Sequence, residues 1–271
     1  MAGTVGMTGT VGMDVWVERL NKYVKITQKT DPSGQRAYLV EGDAGLTGRS
    51  LPSVTTILQT VVNKPGLLNW ARSSTLNAID KTIRADFLAD GVITIPENQM
   101  NNILNQSKAI QEEGRLSASR YGTIAHGLLE QLSQGQSPEI PSEFSFLVES
   151  WRDWVIRTGI IFEHVEGYVY HTGGFAGSFD VIGSIDGEKV LIDYKTSKGI
   201  YAEYALQQGG YKLAYEEMTG EIINRGFVLK LPRGIQNGSL SVVEVRDLEG
   251  AAQRFYTAFE LYSFLHGAIW K

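Results

Sequence analysis

The residues best suited to chemistry are two aspartates and a lysine carried by one short stretch of the chain. Asp180 ends the run GSFD, and Asp193 and Lys195 lie in the later run LIDYK. Between the two runs stands Asp186-Gly187, the kind of dipeptide best suited to a two-residue type I′ hairpin turn. A turn centred there makes residue 185 face 188 and residue 184 face 189, so the same register predicts Asp180 directly opposite Asp193.

Such a register brings two carboxylates and an ammonium group to one place. Directly opposed side chains have Cβ atoms about 4.5–5.5 Å apart, and strand alternation puts Lys195 on the face of Asp193, with Tyr194 pointing away. Two close carboxylates repel unless a cation lies between them, and a hard divalent metal suits oxygen ligands. With Mg²⁺ or Mn²⁺ bound, a lysine that orients or deprotonates water would complete a site for phosphodiester hydrolysis.

The alternative is that these three residues form an ordinary surface salt bridge. The run LIDYKT is apolar on both sides of its charges, which indicates a central strand. Buried charges without a task are uncommon, so the pattern favours a functional site.

Taken together, these motifs resemble a known superfamily. Gly177-x-x-Asp180 followed by Asp193-x-Lys195 is similar to the signature of the PD-(D/E)XK nucleases. The similarity is closest to the RecB-like branch, which includes phage exonucleases and the mitochondrial genome maintenance exonuclease. Gln207-x-x-x-Tyr211 resembles the glutamine–tyrosine motif of that branch.

Two upstream segments extend the resemblance, which covers about residues 51 to 230. RYGTIAH at 120–126 is similar to a helix with a metal-binding histidine, and PSVTTIL at 52–58 resembles a short opening motif. Two features depart from the superfamily: Phe179 stands where its name expects proline, and the absence of cysteine excludes its iron–sulfur subgroup.

The resemblance implies roles for several of these residues. His126 would be a third metal ligand beside Asp180 and Asp193, although a lone helical histidine is more often a core or surface group. Gln207 would hydrogen-bond near the catalytic lysine or the DNA backbone, and Tyr211 would frame the site; the alternative is a helix face packed on the sheet.

Further residues are predicted to support the site. Glu166 would be an accessory acid near the metal, with an ordinary strand position as the alternative. Arg120 is the best candidate for a phosphate clamp because guanidinium binds phosphate in a bidentate manner. The strand end Thr196, Ser197 and Lys198 offers hydroxyl, amide and ammonium groups for phosphate contact.

The elements that must position these residues follow from hydrophobic periodicity. Strands are predicted at 22–29, 37–41, 160–170, 176–184, 188–195, 223–230 and 240–246. Helices are predicted at 53–62, 66–89, 97–112, 115–134, 142–158, 201–218 and 249–267. This order favours an α/β (α+β) fold with a restriction-endonuclease-like mixed sheet flanked by helices, and a helical N-terminal region.

The predicted layout is a series of regions in one compact domain. They are a flexible tail at 1–13, a β-hairpin region at 14–50, a helical region at 51–158 that forms one wall of a DNA groove, and the nuclease core at 159–271. Chain length alone allows one large domain or two small ones.

Composition and charge disfavour some classes of protein. The chain has 271 residues, 42% of them hydrophobic, a net charge of −5 and no cysteine. The charge disfavours a passive nucleic-acid coat but leaves room for a groove enzyme. No apolar run is long enough to span a membrane, and the start lacks a secretory-signal layout, so an intracellular, cytoplasmic protein of a bacterium or phage-infected cell is expected.

The residues by themselves predict metal-dependent phosphodiester cleavage that leaves 5′-phosphate ends, and the resemblance implies a DNA exonuclease that acts on single- or double-stranded ends. The role in recombination, repair or replication, with a protein partner from those processes, comes from the resemblance. A site-specific endonuclease and a catalytically silent nucleic-acid-binding protein are the alternatives.

Overall fold

The protein is described by a computed structural model over residues 12–62, 65–89, 92–93, 95–96, 99–233 and 239–267. Most of the predicted tail (residues 1–11) lies outside these ranges. The strands are β1 Gly12–Val17, β2 Lys22–Thr30, β3 Arg36–Glu41, β4 Ser50–Pro52, β5 Leu88–Ala89, β6 Val92–Ile93, β7 Ile161–His171, β8 Phe175–Ile185, β9 Glu188–Lys195, β10 Arg225–Lys230 and β11 Ser241–Glu244. The helices are α1 Val54–Val61, α2 Pro65–Phe87, α3 Met100–Ser133, α4 Ser145–Thr158, α5 Ala202–Thr219 and α6 Leu248–His266.

A five-stranded mixed sheet forms the centre of the fold. Its order is β11-β10-β9-β8-β7. β9 and β10 run parallel, with α5 as the crossover between them, and the other neighbours are antiparallel. α5 packs against β7 and α6. The predicted α+β class, with a mixed sheet flanked by helices, is confirmed.

The β8–β9 hairpin has the predicted register. Residue 185 pairs with 188, 184 with 189, and the ladder continues to Val181 opposite Ile192. Asp186 and Gly187 both have positive φ angles, 53° and 80°, as a type I′ turn requires. The local turn signal therefore fixed which residues of the two strands face each other.

The N-terminal sheet is larger than predicted. β1, β2, β3 and β4 form an antiparallel sheet in that order. The turn between β2 and β3 is the predicted one, with Asp31 Oδ1 accepting hydrogen bonds from the main-chain N–H groups of Ser33 and Gln35. β1 and β4 were not predicted, and Gly12 and Met13 belong to a strand and not to a tail.

The long helix α3 also differs from the prediction. Helices were expected at 97–112 and 115–134, with a break near Gly114, but one helix runs through that position. Gly114 lies in open space, so the glycine costs about 1 kcal/mol in helix propensity without forcing a break. Glu112 and Arg115 form an ion pair at 2.6 Å across the site of the expected break.

The chain divides into two compact units, residues 1–62 with 126–271, and residues 63–125. Within the smaller unit, α2 and α3 meet at buried Ala78, Thr82, Ile103 and Ser107, and the Ser107 hydroxyl donates to Thr82 Oγ1 at 3.2 Å. The predicted role of the helical region as a groove wall stays a prediction. No helix within the described residues is both long and apolar enough to cross a membrane.

The start of α1 supports the strand that carries Asp180. Ser53 caps the helix, its Oγ accepting from the main-chain N–H of Thr56 at 2.9 Å, as expected for serine at this position. Ser53 also bridges to Ala176 of β8, and Val54 lies against Gly177. The opening motif PSVTTIL thus contributes packing near the site.

Candidate metal centre

Three metal-ligating side chains meet at the middle of β7 and β8. His126, Glu166 and Asp180 each offer a donor atom, and these atoms lie within 4.8 Å of one another. His126 comes from α3, Glu166 from β7 and Asp180 from β8. The Nδ1 atom of His126 lies 3.4 Å from Asp180 Oδ1. Imidazole and carboxylate donors at this spacing suit a divalent cation.

This set differs from the predicted ligands His126, Asp180 and Asp193. Glu166, which the sequence suggested only as an accessory acid, completes the cluster in place of Asp193. The β7–β8 ladder pairs Val165 with Val181 and Gly167 with Phe179, which leaves Glu166 opposite Asp180 in register. The predicted pairing of Asp180 with Asp193 as the two acids of the site is therefore replaced by Asp180 with Glu166, on the other neighbouring strand.

The backbone of Glu166 is in an unusual conformation. Its φ angle is 53°, in the left-handed region that residues with a side chain rarely adopt. Such conformations cost of order 1–3 kcal/mol and concentrate at functional sites. The backbone strain at Glu166 is thus a second feature typical of a functional site, independent of its place in the cluster.

Asp180 is held in place from two sides. Its Oδ2 accepts a hydrogen bond from the main-chain N–H of Tyr194 at 2.6 Å, and its Oδ1 faces His126. Asp180 and Asp193 lie one step beyond the last paired residues of the β8–β9 ladder, Val181 and Ile192. Burial alone would raise the pKa of Asp180, but His126, Lys195 and the Tyr194 N–H together lower it. Asp180 is therefore a carboxylate at neutral pH.

Asp193 and Lys195 form a buried ion pair beside the cluster. Lys195 Nζ donates to Asp193 Oδ1 at 2.8 Å and lies 2.6 Å from Oδ2. That short contact lacks hydrogen-bond geometry, and Oδ2 is a buried atom that accepts no hydrogen bond from the described residues. Burial and, less strongly, Asp180 raise the pKa of Asp193 to about 6 despite the opposing effect of Lys195.

The charge state of Lys195 follows from its neighbours. Burial would lower its pKa, but Asp193 and Asp180 outweigh burial and raise it. Without a bound cation the side chain is therefore an ammonium ion at neutral pH, the form that orients a water or offsets phosphate charge. Its Nζ also lies 5.0 Å from the centre of the Tyr204 ring, a cation–π arrangement.

Burial and neighbouring charges shift the pKa values of the cluster. Burial, followed by repulsion from Asp180 and Glu130, raises the pKa of Glu166 to about 7. Burial would lower the pKa of His126, but the carboxylate of Asp180 raises it. The raised carboxyl pKa values of Glu166 and Asp193 are features that a bound divalent cation would relieve. The residues present therefore fit a metal ion.

The glutamine–tyrosine motif lies on the buried face of α5. Gln207 Nε2 donates to the Tyr211 hydroxyl at 2.7 Å, and both side chains are buried. The Tyr211 ring packs on Gly177 so closely that an added Cβ there would lie 2.5 Å from ring atom Cε1. This contact explains why a glycine stands three residues before Asp180: Tyr211 fills the space that a side chain at position 177 would occupy.

The predicted phosphate-contacting residues are placed around the strand end and on α3. Ser197 Oγ donates to the carbonyl of Gly199 at 2.7 Å, which shapes the loop after β9. Lys198 is exposed and Thr196 is partly buried. Arg120 is exposed on the part of α3 that belongs to the smaller unit. Their roles in binding DNA stay predictions.

Sequence reasoning missed Tyr204, which neighbours the lysine. It lies three residues before Gln207 on α5, so its helical spacing was the available signal. Tyr194 follows its prediction: its hydroxyl accepts a hydrogen bond from Trp151 Nε1 of α4 at 3.1 Å, on the opposite side of β9 from Lys195.

Comparison with known proteins adds little to this geometry. No family model and no curated protein matches the sequence. Among solved structures, the crystal structure of SSO0001 is similar at 12% identity over 70% of this chain and 85% of that chain, with a TM-score of 0.31. Similarity at this level carries no argument about function.

Proposed function

We propose that the protein is a Mg²⁺- or Mn²⁺-dependent deoxyribonuclease that hydrolyses phosphodiester bonds at DNA ends. The observation that carries the proposal is the meeting of His126, Glu166 and Asp180 within 4.8 Å, beside the Asp193–Lys195 ion pair. Oxygen-rich donors next to a fixed ammonium ion match the needs of a reaction in which negative charge grows on a phosphate.

His126, Glu166 and Asp180 would hold the cation, and the Asp193–Lys195 ion pair lies beside them. When bound, a divalent cation supplies an activated water and stabilises the charge that develops on the phosphate. In the hydrolysis, one water oxygen bonds to phosphorus and the P–O3′ bond breaks, which leaves a 5′-phosphate and a 3′-hydroxyl.

Lys195 and its neighbours act on the phosphate and the water. The ammonium group donates hydrogen bonds and offsets phosphate charge, and Asp193 and Tyr204 fix its position. Asp180 keeps its charge because His126, Lys195 and the Tyr194 N–H stabilise the carboxylate. Gln207 and Tyr211 support the strand behind the site.

The preference for DNA ends, a role in recombination, repair or replication, a protein partner from those processes and a cytoplasmic location come from the resemblance to RecB-like nucleases. Thr196, Ser197, Lys198 and Arg120 are the proposed phosphate contacts along the strand. A site-specific endonuclease, or a silent binding module on the same fold, is the alternative that the assay must separate.

The test is digestion of end-labelled single- and double-stranded DNA with Mg²⁺, with Mn²⁺ and with EDTA. Release of mononucleotides is expected with metal only. Discrete internal fragments would indicate an endonuclease, and binding without cleavage would indicate a silent module.

Two variants show whether the measured cleavage comes from this protein. Lys195→Met removes the ammonium group from the site and is expected to abolish cleavage. Lys22→Ala removes an exposed lysine of β2 and is expected to cleave normally. Equal activity of the Lys195→Met and wild-type proteins would refute the assignment.

A further inference from the structure

A cavity of about 580 Å³ opens between β1, β7 and the C-terminal half of α5. All three elements belong to the unit formed by residues 1–62 and 126–271. Pockets for small organic groups fall within roughly 300–1,000 Å³. Glu166 lines the cavity and also belongs to the candidate metal-ligating cluster, so the two features share this residue.

The inner surface of the cavity is apolar and partly aromatic. Val169, Phe179 and Met218 line it and are almost fully buried. The Phe179 ring lies over Gly167, where an added Cβ would approach the ring to 2.1 Å. The tip of the Phe179 ring therefore occupies the space that a side chain at position 167 would need.

One wall is an exposed tryptophan. Trp16 of β1 lines the cavity and is 40% exposed, and its Nε1 donates to Glu18 at 2.8 Å. Its neighbour Tyr23 packs edge-on at 5.2 Å and is 66% exposed but does not line the cavity. An accessible indole above an apolar floor suits a planar ring, since stacking on aromatic side chains is how unpaired bases are bound.

The rim offers hydrogen-bond acceptors. Asp14, Glu163 and Glu221 line the cavity, and Lys189 pairs with both Glu163 and Glu221. Carboxylates accept hydrogen bonds from ring N–H and exocyclic amino groups. The rim thus suits the polar edge of a base.

We infer that this cavity binds an unpaired base of the DNA strand whose phosphodiester lies at the metal centre. The inference rests on the proposed function, because only a nucleic-acid substrate places a base beside Glu166. A base within a duplex is paired and stacked and must leave the stack to enter such a pocket. The substrate is therefore a single-stranded or frayed DNA end.

The experiment is a scan of abasic positions along a single-stranded oligonucleotide. Ca²⁺ replaces Mg²⁺ so that binding is measured without hydrolysis, and the dissociation constant is read by fluorescence anisotropy. In the wild-type protein, removal of one particular base near the end is expected to weaken binding about tenfold, since base stacking contributes roughly 1–3 kcal/mol.

The matched variants are Trp16→Ala and Tyr23→Ala, which each remove one ring of the same exposed pair. Trp16→Ala is expected to bind the intact strand about tenfold more weakly. It is also expected to be insensitive to the abasic position, because removing the indole and removing the base abolish the same stacking contact. Tyr23→Ala is expected to keep the sensitivity of the wild type. Trp16→Phe retains an aromatic ring and is expected to restore part of the sensitivity to the abasic position.

Two outcomes overturn the inference. They are a flat abasic scan in the wild-type protein, and an abasic effect of unchanged size in Trp16→Ala. DNA cleavage together with a flat scan overturns the base pocket alone. A protein that neither binds nor cleaves DNA overturns the proposed function as well.

Discussion

The substitution Glu166→Gln separates the stability of the metal-free protein from its function. Burial and two neighbouring acids raise the pKa of Glu166 from 4.5 to about 7. A carboxyl group whose pKa is raised on folding stabilises the folded state fully when the pH is below the pKa of the unfolded chain. This stabilisation is lost as the pH rises through the pKa of the folded state. Glutamine has the same shape and no charge, so it avoids this loss.

The size of the effect follows from the shift. Each pKa unit corresponds to about 1.4 kcal/mol, so a rise from 4.5 to about 7 corresponds to about 3 kcal/mol, and partial exposure reduces it to about 2 kcal/mol. Glu166→Gln is therefore expected to be more stable than the wild type by about 2 kcal/mol at pH 8 and equal to it at pH 4. At about 2–4 °C per kcal/mol, the melting temperature rises by roughly 4–8 °C.

The assay is urea denaturation of both proteins in EDTA at pH 4 and pH 8. Glu163→Gln is the matched control on the same strand. It removes a partner of Lys189 and is expected to lower the free energy of unfolding at pH 8 by no more than about 1 kcal/mol. If Glu166→Gln changes the free energy of unfolding by the same amount at both pH values, the pKa of Glu166 is not raised by folding.

Three further outcomes follow from the same contacts. His126→Ala is expected to weaken Mn²⁺ binding at least tenfold in isothermal titration calorimetry, because one of the three clustered donors is lost; unchanged affinity would place the metal elsewhere. Gly177→Ala is expected to lower the free energy of unfolding by about 1–3 kcal/mol in urea, since the new methyl group overlaps Tyr211; a neutral effect would contradict that packing. Mn²⁺ affinity is expected to rise between pH 5.5 and pH 8, because Glu166, with a pKa of about 7, must lose its proton to bind a cation; a pH-independent constant would argue against Glu166 as a ligand.

Local signals in the sequence predicted the strand pairing of the site. Asp186-Gly187 determines the hairpin through its own backbone preferences, and the resulting register is confirmed as far as Val181 and Ile192. The signal weakens beyond those residues. Asp180 is hydrogen-bonded to the main-chain N–H of Tyr194, an arrangement that simple alternation along a regular ladder does not anticipate.

Long-range contacts were beyond the reach of the sequence. The left-handed backbone of Glu166 depends on its surroundings, because nothing in glutamate favours that conformation. The contact between Gly177 and Tyr211 joins β8 to α5 across the core. β1 was missed because a strand at the edge of a sheet is defined by its partner β2 as much as by its own residues.

The protonation of Lys195 likewise required the structure. The sequence allowed the lysine either to orient or to deprotonate a water. The balance between burial and the charges of Asp193 and Asp180 raises its pKa, and that balance depends on distances that spacing in the chain does not give.

Anomalous scattering from crystals grown with Mn²⁺ tests the metal centre most directly. A single strong peak is expected within coordination distance of His126 Nδ1 and the carboxylates of Glu166 and Asp180. A cluster without a peak, in crystals of protein that cleaves DNA with Mn²⁺, would contradict the account.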